Sequence, residues 1–383
     1  MKKKSIMKKT MKKKIRLSAA MITAIMLICA IFTGCGSKAV ETEPKTGTGN
    51  ESDIETDVGT ESKTDTESKT DIEPETDVET DTDYEAVDIN IGSLKGPTSM
   101  GLVYLMDLAD KGETANNYTF TMATAADELL TKLISGDLDI ALVPANVASV
   151  LYNKTEGGIS VIDINTLGVL YMVSGDDSIR SMADLSGKTL YLTGKGTTPD
   201  YVLQYLLTEN GLTTDDLTLE YKSEATEVAA LLAENPDAIG LLPQPFVTAA
   251  TMQNEALSIV LNMTEEWAAV QGESGSSLVT GVTVVKNDFL QQNKDAVAKF
   301  MEEHKESAAY ANTDIEAAAE LVAANGIVEK AQVAAKAMPY CNIVYMDSDD
   351  MKQALSGYLE VLYEADASSV GGNLPADDFY YMP

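Results

Sequence analysis

From Ala86 to Lys286 the sequence exchanges short β-rich runs for longer amphipathic ones at a regular beat. Parallel strands cannot be joined by a hairpin and need a crossover of a dozen or more residues, usually helical. The beat therefore predicts an α/β chain with mainly parallel sheets. Strands are expected at residues 87–92, 118–122, 140–143, 168–173, 188–192, 217–221, 238–242 and 279–285. Helical runs such as 99–110, 126–134, 198–207, 225–233 and 244–252 lie between them. After Lys286 the segments 295–310, 315–324 and 351–365 read as helical, and no further strand is expected.

The part before this region is of another kind. A lysine-rich start is followed by an apolar run over residues 17–32, the charged and apolar parts of an export signal, assigned to residues 1–34. The run is shorter than the roughly 20 residues a membrane-spanning helix needs. Phe32-Thr33-Gly34-Cys35 resembles the bacterial lipoprotein box, which implies that Cys35 is diacylated and becomes the new N-terminus. Two acyl chains suffice for stable anchoring. Residues 35–85 then alternate Glu, Asp, Thr and Ser with almost no large apolar side chain, so they cannot build a core and read as an acidic, disordered tether. Cys29 would leave with the signal, and Cys341 is expected as a lone buried thiol.

Composition removes several functions. Sixty acidic residues against 28 basic ones give a net charge of −32, which opposes binding to nucleic-acid phosphates. One histidine and three cysteines leave no pattern for a metal site, and no cofactor is expected. His304, within Met301-Glu302-Glu303-His304-Lys305-Glu306, is expected on a solvated helix face, an unpromising place for a general base. The pairs Asp176-Asp177, Asp215-Asp216 and Asp349-Asp350 read as solvated turns, because adjacent carboxylates do not face each other across a substrate.

Two segments, 169–184 and 272–277, suit crossings between lobes. They divide the folded part into a discontinuous lobe I (residues 86–176 and 279–383) and lobe II (residues 177–278), with a cleft between them of the kind that favours ligands. Three stretches occur in an order that resembles a known family: Ile89-Asn90-Ile91-Gly92-Ser93-Leu94-Lys95-Gly96-Pro97-Thr98, Gly136-Asp137-Leu138-Asp139-Ile140-Ala141-Leu142-Val143-Pro144, and Asp184-Leu185-Ser186-Gly187-Lys188-Thr189-Leu190. The family is the solute-binding proteins of bacterial ABC importers, in the nitrate, sulfonate and thiamine-precursor branch. The resemblance implies a two-lobed periplasmic-binding-protein fold of type II, with mixed sheets flanked by helices and a ligand cleft between lobes. It further implies a monomeric, non-enzymatic receptor, lipid-anchored to the outer face of the cytoplasmic membrane, that passes a small solute to an ABC permease. A sensing or adhesive surface lipoprotein, and an enzyme on the same fold, remain as alternatives.

Where a strand ends in a Gly/Ser/Thr loop before a helix, free backbone N–H groups suit an anionic or polar ligand edge. Ser93, Lys95, Gly96, Pro97 and Thr98 form one such loop, and Gly194, Gly196, Thr197 and Thr198 a second. Pro144 with Asn146, and Pro243 with Gln244, follow strands at matching places, each amide offering donor and acceptor. The competing reading of all four is ordinary strand-to-helix connections with caps. Lys195 does not fit the order of a nucleotide-binding loop. Tyr104, Tyr152, Tyr171, Tyr191, Tyr201 and Phe246 are the aromatic candidates for stacking on a planar ligand. Thr98→Ala and Thr198→Ala are expected to weaken binding with little effect on melting. The ligand class is left open among sulfonate, nitrate, carboxylate, thiamine precursor, pyrimidine and flavin, with a cation also permitted by the acidic surface and a polar or anionic edge favoured.

Overall fold

The computed structural model describes residues 84–383, so the signal, Cys35 and nearly all of the tether lie outside the described residues. The strands are β1 (Asp88–Leu94), β2 (Asn117–Ala123), β3 (Ile140–Pro144), β4 (Ile159–Leu167), β5 (Leu170–Ser174), β6 (Thr189–Leu192), β7 (Thr218–Tyr221), β8 (Ile239–Pro243), β9 (Ser258–Asn262), β10 (Val279–Lys286) and β11 (Ile343–Met346). They form one sheet in the order β11-β4-β10-β3-β1-β2 and another in the order β7-β6-β8-β5-β9. In the first, β1 runs parallel to β2 and β3, while β10 is antiparallel to β3 and β4. In the second, β6 is parallel to β7 and β8, while β5 is antiparallel to β8 and β9. The central strands are covered on both faces, which is why β3 reads Ile-Ala-Leu-Val without polar alternation.

Three strands were not expected from the sequence. β4 is buried along almost its whole length yet carries Asp163, Asn165 and Thr166, which break the apolar run that would mark an interior strand. β9 and β11 are short edge strands, paired on one side only, so little in their composition distinguishes them from loop. β11 also corrects the expectation that strands end at Lys286. A further correction concerns residues 170–174: assigned by sequence to the first lobe, they form β5 and pair within the second sheet. The chain crosses at Gly168, where a Cβ would fall 2.3 Å from Thr264 Oγ1 and 2.7 Å from Leu278 Cδ2. Only a residue without a side chain passes there unchanged.

The largest core cluster runs through both sheets and is continued by the helix Ser348–Ala365. Met351, Leu355, Tyr358, Leu359 and Leu362 lie on one stripe of that helix and are all buried, as the helical period requires. Among the described residues no helix is long and apolar enough to cross a membrane. Cys341 is buried, and burial pushes its thiol up to about 12. Since the thiolate is the reacting species, iodoacetamide at pH 8 is expected to leave Cys341 unmodified in the native protein and to modify it in denaturant, as read by peptide mass mapping.

Candidate functional site

The register fixes which strand ends face each other. β4 runs directly into β5, and because β10 is antiparallel to both β4 and β3, β3 and its parallel neighbour β1 run the same way as β4 and their carboxyl ends point towards the second sheet. Leu170, at the start of β5, pairs with Pro243 at the end of β8, so β8 and its parallel neighbour β6 point back towards the first. Tyr171 pairs with Asn262, which brings the end of β9 to the same edge. On the other side Gly281 pairs with Pro144 and Val279 with Leu167. Carboxyl ends of strands from two sheets thus converge on one crossing, the place where open α/β sheets bind ligands.

The first predicted loop is largely closed on itself. Ser93 is buried with its hydroxyl 2.6 Å from that of Ser99, which in turn donates to the Leu94 carbonyl. Lys95 is exposed, Gly96 has φ 136°, and Pro97 opens a helix of only four residues. Thr98 is buried, its methyl 3.0 Å from the point a Cβ on Gly281 would occupy. Pro144 is half-buried, and the Asn146 amide donates to the Ser369 carbonyl at 3.3 Å, tying the C-terminal turn to its helix.

The second predicted loop also makes bonds of its own. Gly194 and Gly196 have φ of 76° and 69°, and Thr197 donates to the Gly194 carbonyl at 2.6 Å. The Gly196 N–H donates to the buried Asp200 carboxylate, which also accepts from Gln204 and Tyr221. Lys195 lies over the Tyr221 ring. Thr198 faces the hydroxyl of Tyr358 and opposes the upward pKa shift that burial imposes there. The expectation for Thr198→Ala changes accordingly: it removes a partner from a buried core hydroxyl, so melting should fall as well.

Gln244 is different. It is 2% exposed, and its backbone N–H donates to the Val169 carbonyl at the crossing. Its Oε1 accepts from the N–H and hydroxyl of Thr248, at 3.3 and 2.9 Å. Because a backbone N–H can only donate, these bonds set which end of the amide is oxygen. The opposite end, Nε2, has no partner among the described residues. Gln244 lines a cleft of about 480 Å³ together with Tyr171, Thr248, Asn262, Glu265 and Tyr340. Of the loop residues predicted for the site, Gln244 alone lines this cleft, although Pro243 directly precedes it.

Tyr171 donates to the Tyr340 carbonyl at 2.7 Å, and the two rings meet edge to face at 6.1 Å. Its hydroxyl is pushed above the ordinary tyrosine range, first by burial and then by nearby groups that include Glu265. The Asn262 amide donates to Glu265 Oε1 and its oxygen caps Thr264 N. Of the aromatic candidates, Tyr171 is in the cleft. Tyr104 stacks on Tyr310, Tyr152 meets Phe379 edge to face, Tyr191 lies under Lys222, Tyr201 donates to Asp366, and Phe246 packs on a core cluster. Sequence reading missed Asn262 and Glu265, although Asn262-Met263-Thr264-Glu265 carries the spacing of a helix N-terminus and could have marked a strand end. Tyr340, far away in sequence, gave no such signal.

His304 is not on a solvated face. It is fully buried, with Nδ1 3.2 Å from the equally buried Asp163 carboxylate. Asp163 also accepts from Thr283, which accepts from Asn165, which accepts from Thr166. The charged neighbours in sequence occupy the other faces of the same helix, while Phe300 and Tyr345 enclose the imidazole ring. A polar chain therefore runs inside the first sheet from beside Gly281 to the helix Lys294–Thr313.

Two mixed sheets, crossed twice by the chain and closing on a cleft at their strand ends, define an α/β protein of the periplasmic-binding-protein fold. The comparisons agree. Residues 158–318 match the family model described as NMT1/THI5 like. A crystal structure of an ABC transporter protein from Parabacteroides distasonis superposes with a TM-score of 0.65 at 22% identity, covering 77% of this chain and 98% of that one. The periplasmic aliphatic sulphonate binding protein SsuA of Escherichia coli superposes with a TM-score of 0.61 at 15% identity, covering 77% and 92%. Among curated proteins, relatives from Brucella abortus and Brucella suis named as binding proteins are 23% identical over 203 residues, 53% of this chain. The match spans 60% of the length of those relatives.

Proposed function

We propose that this protein is the solute-binding component of an ABC importer, captures a small organic solute in the cleft between its two lobes, and presents it unchanged to a membrane permease. Export and anchoring through Cys35 complete the reading, with the acidic segment as a spacer. The observation that carries it is the buried, unpartnered amide nitrogen of Gln244 at the convergence of strand ends. An unmet buried donor costs about 1–3 kcal/mol, so a ligand acceptor placed there gains what the apo protein lacks. Support also comes from the fold and from relatives named as binding proteins. Closure of one lobe on the other about the crossing at Gly168 would enclose the solute.

The test is a thermal-melt screen of the protein freed of copurified solute by unfolding and refolding. A ligand present at 100 times its dissociation constant should stabilise the protein by about 2.7 kcal/mol, without turnover. Gln244→Met should then weaken that ligand by about 1–3 kcal/mol, roughly five- to 150-fold, and should also lower the ligand-free Tm, because Thr248 loses the acceptor for its N–H and hydroxyl. Equal affinity in the variant would remove this cleft from consideration.

A further inference from the structure

The side chains of the cleft say what charge it accepts. An oxyanion needs N–H donors or a cation, and apart from Gln244 Nε2 the nearby candidates the structure shows are engaged elsewhere or lie outside the cleft. The first-turn N–H of Thr248 is taken by Gln244 Oε1. Lys195 and Lys222 lie over Tyr221 and Tyr191, and Lys95 is exposed on its own loop. No Lys or Arg lines the 480 Å³ cleft among the described residues. Its one carboxylic acid is Glu265, exposed on the wall shared with Asn262. Glu266 follows in sequence, and its carboxyl is raised above the usual range by burial and then by the Glu265 charge. The adjoining cleft of about 410 Å³ adds Glu255 and Lys336, both near the exposed rim. An anion in the inner cleft would meet Glu265 with no basic side chain lining the same wall.

Resting on the reading of this cleft as the ligand site, we propose that its solute is a small organic cation carrying a hydroxyl or carbonyl group. The exposed Glu265 carboxylate balances the positive charge, the partly exposed ring of Tyr340 offers a π face to it, and Gln244 Nε2 donates to the oxygen. This revises the expectation of an anionic edge, which rested on the Ser93–Thr98 and Gly194–Thr198 loops, whose polar groups are largely bonded within the protein.

Calorimetric titration of the whole protein with matched probes tests it: choline, its neutral isostere 3,3-dimethyl-1-butanol, and the anion 2-hydroxyethanesulfonate, with ethanolamine and putrescine as further cations. A cation should bind at least about tenfold more tightly than the neutral isostere, and the sulfonate should not bind. Glu265→Gln keeps an acceptor for Asn262 and should weaken the cation at least about tenfold while leaving the neutral isostere unchanged. The proposal is overturned if the sulfonate binds more tightly than the cations, if Glu265→Gln leaves cation affinity unchanged, or if no cation binds at millimolar concentration. Gln244→Met separates this failure from the failure of the site. Sulfonate binding lost in Gln244→Met would keep the cleft and reject the cation, whereas any probe bound equally by Gln244→Met would reject the cleft itself.

Discussion

Asp163→Ala should lower the unfolding free energy by about 3–5 kcal/mol, and His304→Leu by a comparable amount, because each leaves the other group buried without its partner. Both side chains have no solvent exposure, and they meet at 3.2 Å between β4 and the helix Lys294–Thr313. Asp163 has only Thr283 besides His304 to hold its second oxygen. Since a carboxylate can only accept, the imidazole carries its proton on Nδ1, and Nε2 is left without a partner among the described residues. The pair is thus not an optimised stabiliser. Combining Asp163→Ala with His304→Leu should cost less than the sum of the two singles, and denaturant unfolding of both singles and the double gives the coupling directly. Losses under about 1 kcal/mol in both singles would mean that the pair is hydrated in solution.

Trp267→Ala is expected to cost about 3–5 kcal/mol, the range for removing a large aromatic from a packed core. Trp267 is 1% exposed and is the only tryptophan in the chain. It lies between Tyr205 and Tyr358, with ring centroids at 4.9 and 5.7 Å, and so joins a second-lobe helix to the long C-terminal one. Trp267→Phe should cost much less. The indole N–H is buried and unpartnered among the described residues, so phenylalanine removes an unmet donor along with part of the packing. Circular dichroism melts of both variants measure the difference. Equal destabilisation by Ala and Phe would show that the indole N–H has a partner in solution.

Much of the fold was legible because strand and helix periods are local. The expected strands at 140–143 and 279–285 lie within β3 and β10, and the helical run at 126–134 lies within Ala126–Ser135. What escaped were elements whose character comes from the neighbour. β4 is interior only because β10 and β11 flank it, and its Asp163 is tolerated only because His304, 141 residues later, packs against it. The charged residues around His304 in sequence concealed this, since a helix turns its successive residues to different faces.

The candidate site divides in the same way. The sequence alone determined that glycine- and proline-bearing loops follow the strands, and that Gln244 stands at the end of one of them. Those are consequences of backbone geometry that a few adjacent residues impose. Only the tertiary structure decided that the Ser93 and Thr197 hydroxyls bond within their own loops while Gln244 Nε2 has no partner among the described residues. It alone brought Tyr171, Asn262, Glu265 and Tyr340 to the same cleft. Hydrogen-bond satisfaction and local charge are sums over neighbours distant in the chain, and no local pattern of residues contains them.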